Sequence, residues 1–108
     1  MRILFDQATP VQIRRSLKDH TVITAEQQGW SRMSNGQLLR AAEDAGFDLL
    51  VTPDQNLPHQ QNLAGWKIAV VVLGKANWPL VRPAVARVVA AIEAAKPGTI
   101  SLVPIPDR

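Results

Sequence analysis

The chain has 108 residues, 46% of them apolar and 19% charged, which suits one domain with a core to bury and excludes a multidomain assembly, a low-complexity linker and a coiled coil. Twelve Lys and Arg against nine Asp and Glu give a net charge of +3, which permits a nucleic-acid partner without requiring one. No cysteine is present, which removes disulfides, thiolate zinc sites and thiol nucleophiles together.

In chain order, Arg2 to Phe5 is a short apolar run ended by Asp6 and predicts a strand. The opening MRILFD therefore reads as a strand and not as a signal peptide. Thr9-Pro10 predicts a helix N-cap with proline at the first helical position, followed by Ile13 and Leu17 on one face. His20 to Thr24 is rich in β-branched residues and predicts a second strand. Ser34-Asn35-Gly36 predicts the start of a helix through Leu38, Leu39, Ala42 and Ala45, stopped by Gly46.

Asp48 to Thr52 predicts a buried strand, broken by Pro53-Asp54. A short helical stretch over Gln55 to Leu63 follows, with Asp54 as its cap. Lys67 to Leu73 is the strongest strand signal, and its unbroken apolar character fits burial on both faces of a parallel sheet. Within it, Ile68 to Leu73 is the longest purely apolar run, far short of the roughly 20 residues a membrane span needs. The expected setting is thus cytoplasmic, with no membrane partner. After Pro79 and Pro83, the spacing of Val81, Val85, Val88, Ile92 and Ala95 predicts a helix, and Thr99 to Val103 a final edge strand. Strands alternating with helices predict a single α/β domain over residues 1–108, in three layers, with a mostly parallel open sheet of four to five strands.

Ligands of open α/β sheets bind beyond the carboxyl ends of the strands, where the strand order reverses. Asp6 and Asp54 follow the first and third predicted strands. If the first strand is central, both carboxylates face one crevice, and two like charges there call for a cation or a shared proton. Oxygen ligands without Cys or paired His point to Mg²⁺ or Mn²⁺ rather than zinc. The plainer readings stand beside this: Asp54 as a cap or turn residue, Asp6 as a carboxylate satisfied by solvent at a loop mouth. Glu26, after the second strand, reaches the same edge or is a surface carboxylate. Asn35 is a helix cap whose amide can also face the crevice. Glu43 and Asp44 sit on a solvated helix face, and Trp30, Trp66 and Trp78 read as packing anchors, one of which could stack a base. No dinucleotide, P-loop or nucleophile-elbow motif is present.

The order RILFD, an S-N-G helix start, then LLVT-P-D-Q-N resembles the PIN-like domains, in particular the short branch related to VapC-type toxins of toxin–antitoxin pairs. T-P-D-Q-N is similar to that family's T-x-D-x-D/N signature. The resemblance spans nearly the whole chain in element order and implies a metal-dependent ribonuclease whose acids bind Mg²⁺ or Mn²⁺. Carried over, it makes Asp6, Asp54 and Asn35 the catalytic positions, with Asp6 and Asp54 the metal ligands. Glu26 and Asn56 are additional ligand positions, and Arg32, Arg40 and Lys75 are contacts to RNA phosphates. Asn35 and Asn56 stand where relatives carry acids, which removes charge from the site. The implied partners are RNA, a small antitoxin and further copies of the chain. Two other functions fit the same residues: a non-catalytic module binding RNA or a partner protein, and a receiver-like phosphoacceptor with Asp54 phosphorylated beside Lys75.

Overall fold

The computed structural model describes residues 1–107. Five strands form one sheet in the order β2-β1-β3-β4-β5: β1 Arg2–Phe5, β2 Thr21–Thr24, β3 Leu49–Thr52, β4 Ala69–Leu73 and β5 Ile100–Val103. Every neighbouring pair is parallel, so the expected mostly parallel sheet is wholly parallel. Between the strands run a 3-10 helix (Val11–Ser16), α1 (Asn35–Asp44), α2 (Leu57–Gln60), α3 (Trp78–Val81) and α4 (Val85–Ala94), the last two joined by a 3-10 turn over Arg82–Ala84.

Alternation along the strands builds two cores. Ile3, Phe5, Leu49, Val51, Val71 and Leu73 pack against Ile13 of the 3-10 helix, Leu17 just after it, and Val88 and Ile92 of α4. On the other face, Leu4, Leu50, Val70 and Val72 pack against Leu38, Leu39 and Ala42 of α1 and Leu57 of α2. Residues one apart thus feed opposite layers, which is why β3 and β4 carry no polar residue before Thr52. Each fully buried aliphatic side chain contributes roughly 1.5–3 kcal/mol, so these two layers, not the polar groups at the sheet's edge, hold the fold.

The connections do not all share one hand. From β3 to β4 and from β4 to β5 the chain moves the same way along the sheet, yet α2 and α4 lie on opposite faces. The first three crossovers agree with one another and the last is reversed. Right-handed crossovers dominate parallel sheets, and the strand order is that of flavodoxin-like domains, but the reversed last step separates this chain from that arrangement. The step also leaves the α2 side of β5 thinly covered: Ile100 is half-buried and Leu102 is 59% exposed.

Element ends differ from the expected ones for local reasons. β4 begins at Ala69 and not Lys67, because the Glu43 carboxylate takes the N–H groups of both Lys67 and Ile68 at 3.0 Å. Glu43 is therefore a clip on the sheet's amino end rather than a solvated residue. The stretch after Asp54 makes one helical turn only, since Gln61 is extended and Asn62 turns the chain by accepting from Ala64 N–H. Pro83 lacks an N–H, and the expected continuous last helix is divided around it. α1 begins and ends where expected, but its cap is Ser34 and not Asn35: Ser34 and Gln37 form a capping box, and Gly46, at φ +81°, ends the helix in the left-handed region. No described helix is long and apolar enough to cross a membrane.

Candidate active site

β1 lies between β2 and β3, so the strand order reverses at β1. Phe5 pairs with Thr24 on one side and Val51 on the other. One residue further on, Ala25, Asp6 and Thr52 form a row on the face covered by α1, because they share the parity of Ile23, Leu4 and Leu50. The N–H of Ala25 donates to Phe5 O and that of Asp6 to Val51 O, which continues the ladder to this row. An acid here is directed under the start of α1 by register alone.

Asp6 is only 6% exposed. Its Oδ1 accepts the N–H groups of Ala8 at 2.8 Å and Thr9 at 3.0 Å, while Oδ2 accepts the Thr52 hydroxyl. The loop's own donors, not solvent, satisfy it. Thr9 is not the cap of the following helix, which is flanked by Pro10 instead; its hydroxyl turns into the sheet and donates to Val51 O at 2.8 Å. Thr52 serves both acids, since its oxygen also accepts the N–H of Asp54 at 3.1 Å.

Asp54 is half-buried. Its Oδ1 accepts the N–H of Asn56 at 2.9 Å, and its Oδ2 accepts Nδ2 of Asn35 at 2.7 Å. Asn56, not Asp54, holds the N-cap position of α2. The first residue of α1 thus reaches across to the acid beyond β3, and Asp6, Thr52, Asp54 and Asn35 make one continuous hydrogen-bonded chain. Beside it opens a crevice of about 160 Å³, with Asp6, Ala25, Trp30, Met33, Asn35 and Leu38 among its walls.

The other residues singled out from the sequence lie apart from this chain. Glu26 is exposed in the turn after β2 and does not line the crevice. Asn56 enters through its backbone N–H only. Arg32 is exposed beside the crevice residues Ser31 and Met33. The Arg40 guanidinium lies 5.6 Å from the ring centre of Trp66, a cation–π contact. Lys75 pairs with Asp107 at 2.7 Å, so its ammonium is engaged with the end of the chain rather than with Asp54. From the sequence Thr9 reads as a helix cap and Thr52 only as the last residue of a strand; neither reads as a partner of Asp6. The signal for Thr52 was its place: a hydroxyl ending an apolar strand, in register with an acid ending the next.

Each carboxylate oxygen can accept about two hydrogen bonds. By that count Asp6 Oδ2 and both oxygens of Asp54 keep a position open, and Oδ1 of Asn35 has no partner among the described residues. This set is all oxygen and hard, which suits Mg²⁺ or Mn²⁺ and not zinc. Among the described residues no three of His, Cys, Asp and Glu cluster, so the negative charge available is that of two carboxylates.

Fold and site together define an all-parallel α/β domain with a pair of linked acids at its strand-order reversal. No family model, curated protein or solved structure matches the chain.

Proposed function

We propose that the chain is a PIN-like endoribonuclease dependent on Mg²⁺ or Mn²⁺, the toxin component of a toxin–antitoxin pair acting on cytoplasmic RNA. One observation carries the reading: Asp6 and Asp54, 48 positions apart in the sequence, belong to a single hydrogen-bonded chain with Thr52 and Asn35 at the edge where open α/β sheets bind ligands. Asp6 and Asp54 would hold the cation, with the Asn35 amide as a neutral third donor. The cation, when bound, supplies an activated water for in-line attack on a phosphodiester and neutralises charge on the departing oxygen.

The chain's own residues set the geometry. Thr52 and the turn N–H groups fix the Asp6 rotamer, and Asn35 fixes that of Asp54. Two carboxylates leave room for substrate phosphates to complete the coordination, as Mg²⁺ sites commonly allow. Arg32, exposed at the crevice rim, supplies sequence-independent attraction for RNA phosphates. An antitoxin partner and self-association belong to the same reading and rest on the family resemblance alone.

The deciding experiment incubates the protein with single-stranded RNA and Mn²⁺ beside Asp54→Asn. Cleavage by the parent that is lost in the variant supports the reading. No cleavage by the parent, or equal cleavage by both, ends it.

A second reading, a non-catalytic module that keeps the fold and binds RNA or a protein, is favoured by a different observation. Every carboxylate oxygen of the two acids already accepts from the protein, Asp6 from the loop and Thr52, Asp54 from Asn35 and Asn56. Calorimetry separates the two: RNA binding without Mn²⁺ binding selects the module.

A further inference from the structure

We infer that the crevice beside Asp6 is a subsite for one unstacked nucleobase of single-stranded RNA, with Trp30 as its stacking wall. The inference deepens the ribonuclease reading and rests on its assignment of RNA as the ligand.

The wall is built before any ligand arrives. Trp30 sits at the end of a closed turn: its N–H donates to Ala25 O at 2.8 Å, and its own carbonyl accepts Met33 N–H at 3.1 Å. Gly29, at φ +76°, makes the reversal that brings the ring back over the sheet edge. The indole is braced by Phe47, with ring centres 6.2 Å apart and planes at 69°. A ring held this firmly loses little freedom when a base stacks on it. Trp30 is nevertheless half-exposed.

The other walls fit a base by chemistry and by size. Met33, 37% exposed, offers a soft, adaptable thioether edge. Gln7 and Ser31 are exposed polar residues of the crevice wall. The Gln7 amide offers a donor and an acceptor and the Ser31 hydroxyl either one, as reading a base edge requires. About 160 Å³ lies below the roughly 300–1,000 Å³ of pockets for drug-sized ligands, so a single planar ring fits better than a larger molecule. The position matters as much as the lining. Asn35 borders the crevice and donates to Asp54, so a base here lies one residue from the acids, and its own phosphate lies within their reach.

The test reads binding in EDTA, where cation-dependent cleavage is silent. Fluorescein-labelled RNA octamers, one of each base, are titrated with parent, Trp30→Leu, Trp30→Phe and Gln7→Ala, with melting curves confirming that each variant folds. Trp30→Leu keeps apolar volume and loses the ring, so it should bind at least about fivefold more weakly, the low end of base–aromatic stacking. Trp30→Phe should stay within about twofold of the parent, and Gln7→Ala should change the ranking among the four octamers. Equal binding by parent and Trp30→Leu overturns the subsite even if the protein cleaves RNA. Trp30-dependent binding without Mn²⁺-dependent cleavage keeps the subsite and removes only the nuclease. Binding of no octamer by the parent overturns the subsite and leaves the nuclease to the Mn²⁺ cleavage experiment.

Discussion

Thr52 and Asp6 stand side by side at the ends of adjacent parallel strands, with the threonine hydroxyl donating to Oδ2 of the aspartate. Thr52 is fully buried, so its hydroxyl has no competing water, and the same oxygen accepts the N–H of Asp54. Thr52→Val keeps the shape, removes the donor, and leaves an almost buried carboxylate oxygen unpaired. The expected loss of stability is about 1–3 kcal/mol, the cost of a buried polar group stripped of its partner. Thr52→Ser should recover most of it. Urea unfolding of the three proteins checks this, and a valine variant as stable as the parent would show that the hydroxyl contributes nothing.

The strands were legible because their physics is local. LLVT and AVVVL are apolar throughout since both faces of β3 and β4 are covered, and only a sheet between two helix layers does that. The placement of Asp6 and Asp54 followed from two β-strand ends and a guess about strand order that the sheet bears out. What stayed hidden depends on long-range partners. Nothing within a few residues of Thr9 indicates that its hydroxyl belongs to Val51, or that Glu43 clips Lys67 and Ile68 across the sheet's far end. Lys75 read as a contact to RNA phosphate, or as the neighbour of Asp54, because its actual partner, Asp107, lies after another strand. The reversed last crossover was invisible for the same reason: the apolar stripe of α4 says that it packs, not on which face.

The two acids should respond differently to loss of charge. In Asp6→Asn the Ala8 and Thr9 N–H groups keep an acceptor only if the new NH₂ faces Thr52, whose hydroxyl must then turn to accept and give up its own donation to residue 6. Asp54→Asn meets one donor on each oxygen in a half-exposed setting, where water can replace what is lost. Asp6→Asn should therefore cost about 2 kcal/mol, in the range of a broken charge-assisted bond, and Asp54→Asn less than about 1 kcal/mol. Chemical denaturation of both gives the ranking. Equal losses would mean that Asp6 is not held as described, and a clean activity test belongs to Asp54 in either case.

Restoring charge at position 35 should couple stability to a divalent cation. Asn35→Asp places a second carboxylate 2.7 Å from Asp54 Oδ2, where an amide now donates. Without a cation the bond becomes a repulsion, up to about 4 kcal/mol for unit charges 4 Å apart at intermediate dielectric before side chains move away. With Mn²⁺ the same pair becomes a better ligand set, and ligand bound only by the native state raises stability by mass action. The variant should melt below the parent in EDTA and gain more than the parent when Mn²⁺ is added. An identical Mn²⁺ response in both proteins would place the cation elsewhere or nowhere on the chain.

Acid should release the Lys75 ammonium without undocking the segment that follows β5. The hydrogen bond from Lys75, and then its charge, hold the Asp107 carboxyl below the ordinary aspartate value. A carboxyl lowered in the folded state binds fewer protons there than in the unfolded chain. Its contribution is therefore complete above the unfolded value and disappears as pH falls through the folded one. That contribution is small, because Asp107 is 83% exposed and water and salt screen the pair. The segment is held by something else: Ile105 is buried in the core, and its backbone passes so close to Gly74 that a Cβ there would meet Ile105 N at 3.0 Å. An NMR titration of Asp107 should give a midpoint below that of an ordinary aspartate, restored by Lys75→Met. Ile105→Ala should cost about 2–4 kcal/mol, as truncation of a buried isoleucine does, while Asp107→Asn leaves the unfolding midpoint almost unchanged. If Asp107→Asn proves as damaging as Ile105→Ala, the ion pair and not the buried isoleucine anchors this segment.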